Sequence, residues 1–152
     1  MRIYLDVCCL CRPFDDQSSH RIRIEAEAVI AILRRCTEDW ELVGSEVIDY
    51  EVAGSSDIER KKHVGSLIQF AHERIILDGE LVSRARSFHA LGMDTFDSLH
   101  LACAERARAI FLTTDDVLIK HIKMQADKIS IEVKNPVQWV MEVTVNGSKD
   151  AQ

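Results

Sequence analysis

The sequence predicts an α/β domain built on a parallel sheet of about five strands, with helices covering both faces. Three observations predict it. Short apolar runs alternate with longer segments of helical spacing along the whole chain, the order expected of successive strand–helix units. Several short runs stop at an acidic or hydroxyl residue (Asp6, Ser45, Asp78 and the Thr113–Asp116 segment), and in open parallel sheets the ligand crevice lies at those carboxyl ends. Finally, the chain has 152 residues, of which 47% are hydrophobic and 29% charged. Such a chain suits one globular domain and excludes collagen-like, disordered and disulfide-scaffold classes.

Arg2–Leu5 (RIYL) reads as a buried strand that ends at the carboxylate of Asp6. Ser18 or Ser19 caps a helix in which Ala28, Ala31 and Ile32 recur at helical spacing up to Arg35. Leu42, Val43 and Gly44 form a second strand, and Ser45 caps a helix running through Glu51. The segment 54–57 breaks that helix, and Ser56 or Asp57 caps the next, over 58–73, with Val64, Leu67, Ile68 and Ala71 as its apolar stripe. A third strand is expected over 74–77, then a turn at Asp78-Gly79 and a helix over 80–91 stopped by Gly92. Asp94 caps a helix through Arg108, and 109–112 is a fourth strand ending in Thr113-Thr114-Asp115-Asp116. A helix over 117–126, a strand over 129–133 and a short helix after Asn135-Pro136 complete the order. Residues 1–146 thus make one domain, and 147–152 a polar, frayed tail.

The formal net charge is −6, from 19 basic and 25 acidic residues. That balance excludes a protein that grips nucleic acid by bulk charge. Apolar runs fall short of the ~20 residues of a membrane span, and the start of the chain lacks a signal-peptide pattern, so a cytoplasmic location is expected. The five cysteines (Cys8, Cys9, Cys11, Cys36, Cys103) are odd in number and lack the second pair a zinc knuckle needs. They read as reduced, buried thiols. There is no G-x-S-x-G elbow, no Walker loop and no G-x-G-x-x-G.

Carboxylates gather at the strand ends: Asp6, then Asp49 and Glu51, then Asp94 and Asp97, then Asp115 and Asp116. Carboxylates that share a cleft repel one another unless a cation neutralises them. Hard divalent ions take oxygen ligands and support phosphodiester hydrolysis. Other duties compete for these residues. Asp94 is placed to cap its helix, and Asp115 and Asp116 are equally placed to cap theirs. Asp49 and Glu51 lie about 200° apart around a helix, so both cannot point inward. His100, in an apolar helix, reads as a satisfied, partly buried histidine rather than a base.

The succession IYLDVCCLCRPF, S-E-V-I-D-Y-E, D-S-L-H-L-A-C-A and F-L-T-T-D-D resembles the PIN-domain ribonucleases, among them the VapC-type toxins, from Met1 to about Val143. The resemblance implies a three-layer α/β/α sandwich and an acidic site holding Mg²⁺ or Mn²⁺. It places the family's acids on Asp6, Glu51 (with Asp49 as alternate), Asp97 and Asp115, and the family's Thr on Thr113. It further implies hydrolysis of RNA, a homodimer and a small antitoxin whose segment fills the cleft.

This sequence departs from the family where Val7 and Cys8 replace a small polar pair after the first Asp. The alternative reading is therefore a weak or inactive PIN-fold module that binds RNA or protein. Arg12 stands where it reaches a phosphate, unless it pairs with Asp15 or Asp16. A phosphoacceptor receiver fits least, because Asp78 and Lys134 are poorly spaced for it.

Overall fold

In the computed structural model, which describes residues 1–150 and the side chains of residues 1–147, β1 (Arg2–Leu5) is the central strand. Its last three residues, Ile3, Tyr4 and Leu5, are all buried. Side chains alternate between faces along a strand, so three consecutive buried residues mean that both faces are covered. The chain continues through α1 (Val7–Cys11), a 3₁₀ turn (Arg12–Phe14), α2 (His20–Arg35), β2 (Glu41–Ser45), α3 (Glu46–Ala53), α4 (Ile58–Ile68) and β3 (Glu73–Ile75). It then passes through α5 (Gly79–His89), α6 (Thr95–Ala107), β4 (Ile110–Leu112), α7 (Asp116–Met124), β5 (Val133–Lys134) and α8 (Pro136–Asp150).

The sheet order is β3-β2-β1-β4-β5, with every pairing parallel. Tyr4 lies opposite Val43 on one side and Phe111 on the other. From β1 the chain winds outward through β2 to β3, then crosses back to β4 on the far side of β1. Right-handed crossovers therefore put α1–α4 on one face and α5–α7 on the other, and α8 packs on α2. The result is a three-layer α/β/α sandwich. The connections diverge between β1 and β4, and this opens a crevice at the carboxyl ends of those two strands.

Most elements match their sequence signals, and the differences have physical causes. The helix expected over 58–73 ends at Ile68, because the chain must turn back to the sheet. His72 already donates its N–H to the Leu42 carbonyl (2.8 Å), and β3 follows at Glu73–Ile75 rather than 74–77. The fifth strand pairs only at Val133 and Lys134. Ile129 is buried and Ile131 packs on the core, so that apolar run satisfies packing rather than the ladder. Gly92 adopts φ +102° three residues past the end of α5. The final helix is longer than expected and carries 147–150 of the expected tail, while residues 151–152 lie outside the described residues. All five thiols are free; Cys9, Cys36 and Cys103 are buried, whereas Cys8 and Cys11 are half-buried.

Candidate active site at the ends of β1 and β4

Asp6 is the first residue past β1. Its backbone N–H donates to the Leu112 carbonyl on β4 (2.9 Å), which locks it over the crevice. Its carboxylate caps α1 by accepting the Val7 N–H (2.8 Å) and accepts the hydroxyl of fully buried Thr113 (2.8 Å). Burial raises the Asp6 pKa, and nearby Glu51 adds to this, while His100 and Thr113 oppose it. At the Val7/Cys8 departure, the two oxygens of Asp6 are held by a backbone amide and by Thr113, and the Cys8 thiol adds a smaller hydrogen-bonding contribution that lowers the Asp6 pKa. The Cys8 sulfur also accepts the Thr114 N–H (3.4 Å) and lies 3.4 Å from the Thr113 hydroxyl.

Glu51 comes from α3, whose start is set by Ser45 at the end of β2. The Ser45 Oγ accepts the Ile48 N–H (3.1 Å) and also bonds the Tyr4 hydroxyl (2.7 Å). Helical periodicity then turns Glu51 inward and Asp49 outward, where Arg74 Nε holds Asp49 (2.7 Å). From the opposite layer comes α6. Asp94 caps it by accepting the Asp97 N–H (2.8 Å), Asp97 lies in its first turn, and His100 follows one turn later.

His100 is wholly buried, between Phe96 and Phe111 with Tyr4 against its edge. Its Nδ1 is hydrogen-bonded to the Tyr4 hydroxyl (2.6 Å). Its Nε2 has no hydrogen-bond partner among the described residues. That nitrogen stands 3.6 Å from Glu51 Oε2 and 3.9 Å from Asp6 Oδ1, beyond hydrogen-bond reach. Ligand atoms of Asp6, Glu51 and His100 all lie within 4.8 Å of one another.

The electrostatics reflect crowding of negative charge. Burial, then Asp94, Asp6 and Asp115, push the Asp97 carboxyl up to about 7. Burial alone lowers the His100 pKa, but Glu51, Asp6 and Asp97 outweigh it and the net shift is upward. The site therefore favours any added positive charge, whether a proton or a cation.

The four acids named from the sequence thus differ in placement. Asp6 and Glu51 converge with His100. Asp97 stands outside that tight group, linked to it by charge. Asp115 is exposed, caps α7 through the Leu118 N–H (3.1 Å), and donates its own N–H to Thr113 (3.2 Å). Asp116 is paired with Arg21 (2.8 Å), which settles which of the two caps the helix.

Sequence reasoning misjudged His100, which is satisfied on one nitrogen only and faces the acids. Its spacing of three residues from Asp97 was the available signal. Of the two readings of Arg12, the structure supports the ion pair: Arg12 is held by Asp15 (2.9 Å) and also by Glu25 (2.9 Å), and so is not a free phosphate ligand. Glu25 itself, 2% exposed, was not foreseen; Asn135 (2.7 Å) and Arg21 (3.4 Å) complete its shell. Arg21, four residues earlier on α2, was the one local hint.

No protein-family model and no curated protein matches this chain by sequence. Its structure is similar to that of a chain in FitAcB from Neisseria gonorrhoeae, with TM-score 0.58 and 20% identity over 90% of this chain and 98% of that one. A chain of VapBC2 from Rickettsia felis, solved bound to a DNA fragment from their promoter, matches with TM-score 0.59 and 12% identity over 89% and 98%. VapBC-1 from nontypeable Haemophilus influenzae gives 0.60 and 13% over 90% and 98%. At these identities the likeness is one of fold, and the chain has the PIN-like α/β/α architecture. No helix among the described residues is long and apolar enough to cross a membrane.

Proposed function

We propose that the protein is a metal-dependent endoribonuclease of the PIN type, acting as the toxin of a toxin–antitoxin pair. The observation that carries this reading is the convergence of Asp6 and Glu51 at the point where the sheet reverses its winding, beside a third acid, Asp97, that resists ionising. The residues fit a divalent cation. Two carboxylates and one buried nitrogen without a hydrogen bond face a common point, and no basic side chain other than His100 is ion-paired with Asp6 or Glu51 among the described residues.

In this reading Asp6, Glu51 and Asp97 hold Mg²⁺ or Mn²⁺, with Asp115 at the rim. A bound divalent ion supplies positive charge to the phosphodiester and lowers the pKa of a water. The protein's own part is placement. Thr113 and the Val7 amide fix both oxygens of Asp6, Ser45 sets the helix that brings Glu51 inward, and Asp94 starts the helix that carries Asp97. RNA affinity is modest and strongly salt-dependent, because the net charge of −6 opposes phosphate. The likeness to chains of FitAcB and VapBC assemblies supports a small antitoxin as partner; a homodimer working in the cytoplasm completes the proposal.

The test is incubation of the purified protein with a mixed RNA pool in Mg²⁺, in Mn²⁺ and in EDTA, beside Asp6→Asn and Asp97→Asn. Cleavage is expected only with metal and only in the wild type. Cleavage that persists in EDTA or in both variants would overturn the metal–carboxylate reading. RNA or protein binding without cleavage of any RNA would replace the enzyme with a binding module.

A further inference from the structure

We infer that His100 is itself a metal ligand, through Nε2, and that it makes this site prefer a divalent transition-metal ion such as Mn²⁺ over Mg²⁺. The inference deepens the functional reading above and rests on it. An acids-only site takes hard cations through oxygen, whereas an imidazole ligand suits transition metals.

Three observations carry the inference. The first is the orphaned nitrogen. A buried polar atom outside hydrogen-bond distance of any partner has lost its hydration for incomplete compensation, and such atoms in native proteins mark a water, an ion or a functional role; here the two acids that face it compensate only through charge. His100 Nε2 is in that position while the other nitrogen of the same ring is fully engaged. The second is aim. Nε2 faces Asp6 Oδ1 at 3.9 Å and Glu51 Oε2 at 3.6 Å, too far for hydrogen bonds, and the three atoms fall within 4.8 Å of one another, close enough to share one ion.

The third is the support behind the ring. Metal-bound histidines donate their second N–H to an outer partner, which fixes the tautomer and the ring plane. Here Tyr4 supplies that partner at 2.6 Å, and the Tyr4 hydroxyl passes on to Ser45 Oγ at 2.7 Å. With Nδ1–H donating to Tyr4 and Tyr4 O–H donating to Ser45, Nε2 is the ring atom left toward the acids, where it carries a proton without metal and offers its lone pair to an ion that displaces that proton. Ser45 is at the same time the cap of the helix that carries Glu51, so one hydroxyl indexes both ligands. Tyr4 is thus a positioning residue.

Metal binding without RNA tests this. Free Mn²⁺ is followed by electron paramagnetic resonance, and Mg²⁺ by its competition with Mn²⁺. In His100→Gln, Mn²⁺ affinity is expected to fall by about tenfold or more while Mg²⁺ affinity changes by less than about twofold, and Tyr4→Phe should weaken Mn²⁺ by about tenfold through the ring's lost anchor. Equal losses for both ions, or no loss, would overturn His100 as a ligand and leave the carboxylate centre standing. A wild type that binds neither ion would overturn the metal centre itself. Should the variants not fold, ¹⁵N spectra of wild-type imidazoles decide. One equivalent of Zn²⁺ should move the His100 Nε2 resonance to a metal-bound position, and an unmoved resonance in Zn²⁺-loaded protein would refute the assignment.

Discussion

Replacing Asp97 by Asn should make the protein more stable while abolishing cleavage. Asp97 lies in the first turn of α6 among Asp94, Asp6 and Asp115, and its carboxyl titrates at about 7 instead of 3.8. The folded chain thus holds that proton more tightly than the unfolded chain does. The favourable contribution is complete below 3.8 and is lost as pH rises through about 7. At pH 8 the ionised side chain carries the whole cost, which from that displacement is at most about 4 kcal/mol. Asp97 is only partly buried, so water screens much of this. Asn also forgoes about 0.5 kcal/mol of attraction between a first-turn carboxylate and the helix dipole. A net gain of about 1–2 kcal/mol at pH 8 remains, shrinking to less than half of that at pH 5. Urea unfolding in EDTA, read by buried Trp40 and Trp139, measures it as a higher midpoint at unchanged slope. With Mn²⁺ at a hundred times its Kd, the wild type should gain about 2.7 kcal/mol and the variant much less. A variant less stable than wild type at pH 8, or a gain at pH 5 as large as at pH 8, would refute the account of like-charge crowding.

Three further outcomes follow from local geometry. Glu25→Ala leaves Arg12 and Asn135 without their shared acceptor and should cost about 3–5 kcal/mol, seen as a lower urea midpoint at unchanged slope. Ser45→Ala removes the α3 cap and a Tyr4 partner, so a loss of about 1–2 kcal/mol is expected by calorimetry. Gly92→Ala forces φ +102° on a side-chain-bearing residue and sets its Cβ 3.1 Å from His121 Cε1; thermal unfolding should report a loss of about 1–3 kcal/mol.

Where a signal is local, reading the chain and seeing the fold agree. The strand R-I-Y-L ending at Asp6, the caps Ser45 and Asp94, the cap at Asp57 (one of two candidates with Ser56), and the T-T-D-D strand end each depend on a few adjacent residues; Asp78, read as a turn residue, is itself the cap of α5. Because strand–helix alternation and a parallel sheet go together, those signals also located the crevice. The missed helix α1 shows the limit. Its V-C-C-L-C segment has no helical pattern, and Asp6, read as a site residue, is also the cap that starts it. Helical spacing showed that Asp49 and Glu51 cannot both point inward; that Asp49 is the one turned away, onto Arg74, is decided by the fold.

The sequence by itself thus determined the architecture, the order of the strands and of the helices other than α1, and which acids stand at strand ends, because short-range backbone preferences and apolar periodicity encode these. Only the tertiary structure decided which of those acids meet. It also decided that Glu25 is buried with its arginines, and that His100 faces the acids with one nitrogen bare. Those outcomes depend on partners far apart along the chain: Thr113 for Asp6, Asn135 for Glu25 and Tyr4 for His100. A hydrogen bond to a residue some hundred positions away leaves no trace in local spacing. It exists only once the sheet has brought β1, β2 and β4 side by side.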